Sequence, residues 1–322
     1  MKLVIGFITF GENTAKYLPY FLPSLFDEDL DFKVLVVDNT PEFLNKNLSY
    51  LKKHYPQIEI VSQGKNLGFA RGYNLMIKRA RELGADYFCA LNPDMLLEKG
   101  ALKNLVEVLE NDHNLGSASP LVLRWDFKEN KKTQTIDTCG IRLLPGLRFV
   151  DSGQGEKVSG LKECRILAPS GAAGIYRISA LERVKQEDEY FEEMMFMYKE
   201  DCDLGYRLFL AGYESKCIPE SIIYHDRTVY SRGQSDYQVA LNRKNKSKQV
   251  KKWSMRGQQI IFFKFWPLQN WKEKLFIIWL EIKMIVFALI FESYLLKEVF
   301  KVLGERKKIK TPPISSPGKG ED

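Results

Sequence analysis

The sequence predicts an α/β fold: a mostly parallel sheet with helices on both faces, extended by a C-terminal helical region. Three observations carry this. Short apolar or β-branched runs alternate with segments of helical periodicity. Polar residues collect where those runs end. From about residue 239 the composition turns basic and aromatic.

The runs Leu3–Thr9, Phe32–Val37, Ile58–Ser62 and Tyr87–Leu91 read as strands. Near-continuous apolar character marks strands covered on both faces. Between them, Tyr17–Phe26, Phe43–His54 and Ala70–Leu83 carry helical patterns, with Tyr73, Ile77, Ala80 and Leu83 spaced three to four apart. In such sheets ligands sit beyond the carboxyl ends of the strands, where Thr9, Asp38, Asn92 and Asp94 fall. Residues 116–180 read as irregular strands and loops, with Ser119–Leu123 and Ile141–Leu144 as short strands and polar Asp126–Thr135 as an exposed loop. Cys202–Ala211 reads as a helix and Ser221–Tyr224 as a strand leading to His225.

The C-terminal region begins with Arg243, Lys244, Lys246, Lys248, Lys251 and Lys252, followed by Trp253, Trp266 and Trp271. Leu275–Phe291 is then strongly apolar but interrupted by Glu281 and Lys283. A spanning helix needs about 20 apolar residues with few charges, so an interfacial or packed helix is expected. The tail from Thr311 is expected to be disordered.

Composition excludes several classes. The 322 residues are 45% hydrophobic and 28% charged, which excludes a disordered or collagen-like chain. Five Cys without a CxxC pair give no zinc ribbon, and the apolar run at Met1–Thr9 reads as a first strand rather than a secretory signal. Residues 1–225 hold 28 Lys and Arg against 32 Asp and Glu, whereas residues 226–310 hold 19 against 7. A basic appendage on a near-neutral body points to a polyanionic partner. No nucleic-acid motif accompanies the basic run, so an anionic membrane surface is the expected partner and no nucleic acid is expected.

Four constellations bear on chemistry. Asn92-Pro93-Asp94 follows a buried strand, where a carboxylate can hold a metal against a diphosphate or simply close an Asx-type turn. Glu200-Asp201-Cys202-Asp203 opens a helix, as capping acids or with one carboxylate as general base. His225, one of three His, ends a strand and gains meaning beside Asp94 and Asp201. Gly64–Asn74 is a Gly-rich turn entering a helix, whose free N–H groups could meet a phosphate; it matches neither a P-loop nor GxGxxG.

In order, FITFG (7–11), VVDN (36–39), NLGFARGYN (66–74), LNPD (91–94), PSGAAG (169–174), YKEDCDLGYRLFLAGY (198–213) and IYH (223–225) resemble the family 2 glycosyltransferases, and within them the bacterial rhamnosyltransferase-like branch. The resemblance covers roughly residues 1–230. It implies a GT-A, Rossmann-like fold and inverting transfer from a nucleoside diphosphate sugar, dTDP-rhamnose or a UDP-sugar, to a lipid-linked or polysaccharide acceptor. Carried over by position, it sets Thr9, Asp38, Asn66, Gly68 and Arg71 around the donor. Asn92 and Asp94 fall near its diphosphate, and Asp94 with His225 on Mg²⁺ or Mn²⁺. Asp201 becomes the general base, with Gly171 and Glu200 on the acceptor side. Asn92 departs from a strict DxD, since an amide oxygen binds a hard cation less well than a carboxylate; this keeps a non-catalytic sugar-nucleotide-binding scaffold as the alternative. The expected organisation is a transferase domain over 1–235, a basic aromatic extension over 236–310 and a tail over 311–322, in a cytoplasmic protein peripheral on the inner face of the cell membrane.

Overall fold

The computed structural model describes residues 2–42, 45–62, 64–159, 161, 163–226 and 247–312. Four parallel strands build the first half of the main sheet: β1 (Leu3–Thr9), β2 (Phe32–Asp38), β3 (Glu59–Ser62) and β4 (Tyr87–Leu91), in the order β3-β2-β1-β4. Their side chains alternate between two cores. Leu3, Ile5 and Phe7 meet α2 (Leu18–Phe26), while Val4, Leu35 and Val37 meet α4 (Gly68–Glu82). Burial on both faces explains the unbroken apolar runs. The short α1 (Gly11–Ala15) follows β1, and α3 (Lys46–His54) starts at Asn45, whose side chain accepts from Leu48 N at 3.0 Å. The expected start of this helix at residues 43–44 lies outside the described residues.

Past β4 the sheet becomes mixed. After β5 (Met95–Leu97) and α5 (Ala101–Asn111) comes the long β6 (Leu115–Asp126). β7 (Lys131–Thr138) folds back on β6; β8 (Ile141–Leu144) and β9 (Arg148–Asp151) form a separate hairpin. β10 (Cys164–Ile166), β11 (Ala173–Arg177) and β12 (Glu214–His225) complete the order β10-β12-β6-β11-β4. β11 lies antiparallel between β4 and β6, because it is reached by a loop rather than by a crossover helix. The parallel arrangement thus holds for the first half, and the second half mixes both senses.

The exposed loop expected at Asp126–Thr135 is a correction. Asp126 closes β6, and Lys131–Thr135 belongs to β7. The far side of β7 bonds the 155–158 segment, with Ile136 N donating to Glu156 O at 2.9 Å and Val158 N to Gln134 O at 3.1 Å. Likewise 116–180 is more regular than its turn-rich composition implies.

α6 (Ile178–Val184) and α7 (Glu200–Leu210) cover the same face as α4. The C-terminal region forms α8 (Lys248–Phe265), α9 (Trp271–Phe291) and α10 (Leu296–Glu305). Ile260, Ile261, Phe265 and Ile277 share a core with Tyr206 of α7 and Phe149 of β9. Arg243, Lys244 and Lys246, the boundary expected at residue 235 and residues 313–322 of the tail lie outside the described residues.

Candidate active site

The carboxyl ends of β1 and β2 meet at Asp38. Its Oδ1 accepts from Thr9 Oγ1 at 2.8 Å and Thr40 Oγ1 at 2.7 Å, and its Oδ2 accepts from Asn45 Nδ2 at 2.8 Å. Thr9 and Asp38 are buried, so they form a rigid floor under the strand ends. Thr40 and Asn45 complete that floor, and sequence reading did not single them out.

Asn39 connects this floor to the start of α4: Leu67 N donates to Asn39 Oδ1 at 3.1 Å, and Asn39 Nδ2 to Gly68 O at 3.0 Å. Asn66 Oδ1 accepts from Gly68 N at 2.8 Å. Gly68 has φ +76°, and a Cβ there would lie 2.6 Å from Phe196 O. Only glycine permits both this conformation and this approach. The N–H groups of Phe69 and Ala70 donate to Phe196 O at 2.8 and 3.4 Å. The amides expected to be free for a phosphate at this turn are therefore occupied by the protein itself. Arg71 pairs with Glu193 at 2.9 Å.

Beyond β4, Asn92 N donates to Ala172 O at 2.9 Å. Asp94 Oδ1 lies 3.3 Å from His225 Nε2, while His225 Nδ1 meets Asp137 Oδ2 at 2.9 Å. β5 and β12 pair Met95 with His225, which explains why Asp94 and the strand end meet. Burial pulls the imidazole pKa down, but Asp94 and then Asp137 outweigh it and push it up to about 10. The Asp94–His225 pair lacks hydrogen-bond geometry, so Asp94 Oδ1 is a buried acceptor without a hydrogen-bond donor. Once the ring gives up its proton, this carboxylate and imidazole would suit a hard divalent cation, and a carboxylate on the far ring nitrogen is how ligating histidines are oriented. Among the described residues no group of three or more His, Cys, Asp and Glu forms a metal cage. The donor set therefore suits a cation whose remaining ligands come from phosphate oxygens and water.

Asp201 stands in the first turn of α7. Its Oδ2 accepts from Gly171 N and its Oδ1 from Cys202 N, both at 2.8 Å. A Cβ on Gly171 would lie 3.2 Å from Asp201 Oδ2 and 3.4 Å from the Phe69 ring, so this backbone must pass close. Glu200, expected on the acceptor side, is the preceding residue of the same turn. It is 3% exposed and points inward, because adjacent residues on a helix project about 100° apart. Burial first, and then Asp201, raise its carboxyl well above the usual range. The approach to α7 is strained: Phe196, Tyr198 and Lys199 have φ of 62°, 72° and 79°. Contacts to α4 and α8 hold that segment in place.

The turn Ser170–Ala172 joins the two carboxylates: Gly171 holds Asp201, and Ala172 holds Asn92, two residues before Asp94. Asp201 thus bonds this turn directly, and Asp94, with His225 beside it, follows it by way of Asn92. Asp137 and Glu193 carried no local signal in the sequence; each becomes legible only once β7 and the segment before α7 are folded.

Residues 5–184 match the family described as Glycosyl transferase family 2. Over 232 residues the chain is 26% identical to Rhamnosyltransferase WbbL of Escherichia coli K12, spanning 67% of this chain and 81% of that protein. It is 24% identical over 191 residues to the N-acetylglucosaminyl-diphospho-decaprenol L-rhamnosyltransferase of Mycobacterium tuberculosis strain CDC 1551, spanning 54% of this chain and 61% of that one. Among solved structures, S. aureus TarS 1-349 in complex with UDP-GlcNAc superposes with a TM-score of 0.58 at 15% identity, over 96% of this chain and 81% of that one. GalNAc-T7 with UDP, GalNAc and Mn²⁺ gives 0.55 at 12% identity, over 83% and 48%. At these identities the structural likeness carries the fold, an α/β architecture of the GT-A type.

Proposed function

The chain belongs to the family 2 glycosyltransferases and is a sugar-transferring enzyme, and from that premise we propose an inverting transfer with Asp201 as general base. The donor is a nucleoside diphosphate sugar, dTDP-rhamnose or a UDP-sugar. The names of the two rhamnosyltransferase relatives favour the first, and the UDP-GlcNAc of the TarS complex keeps the second open. The acceptor is a hydroxyl of a lipid-linked or polysaccharide saccharide, in keeping with the diphospho-decaprenol in the mycobacterial relative's name.

The observation that carries the reading is the shared turn: one backbone segment orients Asp201 through Gly171 and contacts Asn92 through Ala172. A sugar hydroxyl is a poor nucleophile at neutral pH. Asp201, held by two backbone N–H groups, takes its proton as the new glycosidic bond forms, a contribution of about 10²–10⁴ in rate. Inversion follows from attack on the face opposite the leaving diphosphate. Asp94 and His225 would hold Mg²⁺ or Mn²⁺, which would stabilise the charge gathering on that diphosphate. Asp137 keeps the His225 ring in register.

The test is a donor panel of dTDP-rhamnose, UDP-glucose, UDP-galactose and UDP-GlcNAc with Mg²⁺ or Mn²⁺, read as thermal stabilisation and release of free nucleoside diphosphate. One donor should stabilise the protein in a metal-dependent way, and Asp201→Asn should lose turnover while keeping that stabilisation. Full turnover in Asp201→Asn would refute the base assignment. Asn92 at the first acid position favours one competing reading, a non-catalytic sugar-nucleotide-binding scaffold. Donor binding without turnover on any acceptor would establish it.

A further inference from the structure

Helix α9 presents the wrong face to solvent for a water-soluble helix. Trp271, Leu275, Trp279, Ile282, Val286 and Ile290 recur at spacings of three and four, and all are exposed; Trp271 is 68% and Ile290 66% accessible. The opposite stripe, Ile277, Glu281, Met284 and Ala288, packs on the body, with Glu281 accepting from Gln259 of α8. The β8–β9 turn also clamps the helix, since Gly146 N donates to Glu273 at 2.8 Å. The exposed stripe is therefore a continuous apolar face on a well-anchored helix, larger than scattered surface residues explain.

The charges around it select the occupant. Residues 247–312 hold 14 Lys and Arg against five Asp and Glu. Lys272 and Lys283, eleven residues apart, lie along one edge of the stripe, and their ammonium groups sit 5.6 and 6.0 Å from the rings of Trp271 and Trp279. Lys274 lies 5.6 Å from the ring of Trp266, itself part-exposed. Apolar side chains bordered by Trp and Lys match the boundary between acyl chains and anionic headgroups. A second copy meeting the same face would bring these lysines toward their own counterparts. No helix among the described residues is long and apolar enough to cross a membrane, so the stripe can serve by lying in the surface but not by spanning it.

We propose that the exposed face of α9 docks the protein on an anionic lipid bilayer, with the helix lying in the plane of the headgroup layer. Trp271, Trp279, Ile282 and Ile290 enter the acyl boundary, and Lys272 and Lys283 meet lipid phosphates. This surface is distinct from the cluster around Asp201. Vesicle binding is read without donor or turnover, so the failure of either proposal leaves the other standing.

The test is co-sedimentation of the full chain with vesicles of phosphatidylcholine alone or mixed with phosphatidylglycerol. Binding should require phosphatidylglycerol and weaken with salt. The double substitution Trp279→Ser with Ile282→Ser should lower partition roughly tenfold or more, since each removes a large buried apolar contact. Both positions are solvent-exposed, and an unchanged melting temperature reports intact folding. Independently, lipids brominated on the acyl chain should quench tryptophan fluorescence in the wild type and less in Trp271→Phe with Trp279→Phe. Absence of binding to anionic vesicles, or binding and quenching that ignore these substitutions, would overturn the proposal. So would a dimer in light scattering that the double substitution dissolves, with no vesicle binding: the face would then belong to a second copy.

Discussion

Lys264→Met removes an ammonium that α8 drives into the wholly buried space behind α7. Its Nζ lies 2.8 Å from Asp203 Oδ1 and 2.9 Å from Glu192 Oε2, and the Lys264 and Asp203 side chains are both 0% exposed. Met keeps most of the volume, so the loss is electrostatic. Removing one partner of a buried pair costs about 3–5 kcal/mol. Asp203 retains Arg207 at 2.8 Å, and Glu192 is 12% exposed and can recover water, so the lower end applies, about 3 kcal/mol. At this chain length each kcal/mol moves the melting temperature by roughly 2 °C, so a fall of about 6 °C is expected. Denaturant unfolding at pH 7 measures the free energy, and Lys264→Met combined with Asp203→Asn should cost clearly less than the sum of the two. The pH dependence carries a second signature. Burial raises the Asp203 carboxyl, but Arg207 and then Lys264 outweigh it and hold it below the usual range. Asp203 therefore contributes stability above the unfolded value of about 3.9 and loses it as pH falls through its lowered native value. Without Lys264 that loss should begin at higher pH. A melting temperature within about 1 °C of wild type, or strict additivity in the double variant, would refute the claim that this cluster ties the C-terminal helices to the helix carrying Asp201.

Further outcomes follow from the same geometry. Burial and then Asp201 raise the Glu200 carboxyl, so it contributes stability that is fully present below the unfolded value of about 4.3 and is lost as pH rises through its raised native value; Glu200→Gln should flatten that loss in a melting series, and an unchanged profile would refute the raised carboxyl. A Cβ on Gly257 would lie 2.6 Å from Tyr198 O, so Gly257→Ala should destabilise by about 1 kcal/mol net of the gain in helix propensity, and it should lower turnover by shifting the segment before Asp201. Gly304 has nothing within 4 Å, so Gly304→Ala should instead stabilise by about 0.5 kcal/mol, and equal shifts for the two variants would undo the packing argument. Asp137→Asn should weaken Mn²⁺-dependent donor binding roughly 10–100-fold in a titration, with donor binding in the absence of metal as the control; unchanged Mn²⁺ affinity would remove Asp137 from the metal's support.

The first half of the fold was legible because its physics is local. A strand covered on both faces must be apolar along its length, and Leu3–Thr9 and Tyr87–Leu91 appear with the bounds their hydropathy suggests. A helix covered on one side must repeat its apolar residues every three or four positions, as α4 does. Motif order, rather than any single motif, pointed to the family.

What the tertiary structure decided was long-range pairing and direction. His225 meets Asp137 across 88 residues of sequence, and no periodicity in either segment records it. Strand β7 reads as a loop, because its first half, Lys131–Thr135, is polar and largely exposed and so shows no apolar face. Asp201 and Glu200 are neighbours of one charge type, yet helix rotation turns one toward the Gly171 backbone and buries the other, with its carboxyl raised above the usual range. The apolar character of α9 is plain in the sequence. Which stripe of it meets the protein, and which is left for another surface, depends on where α8 and the β8–β9 turn come to rest, and that is a property of the packed chain alone.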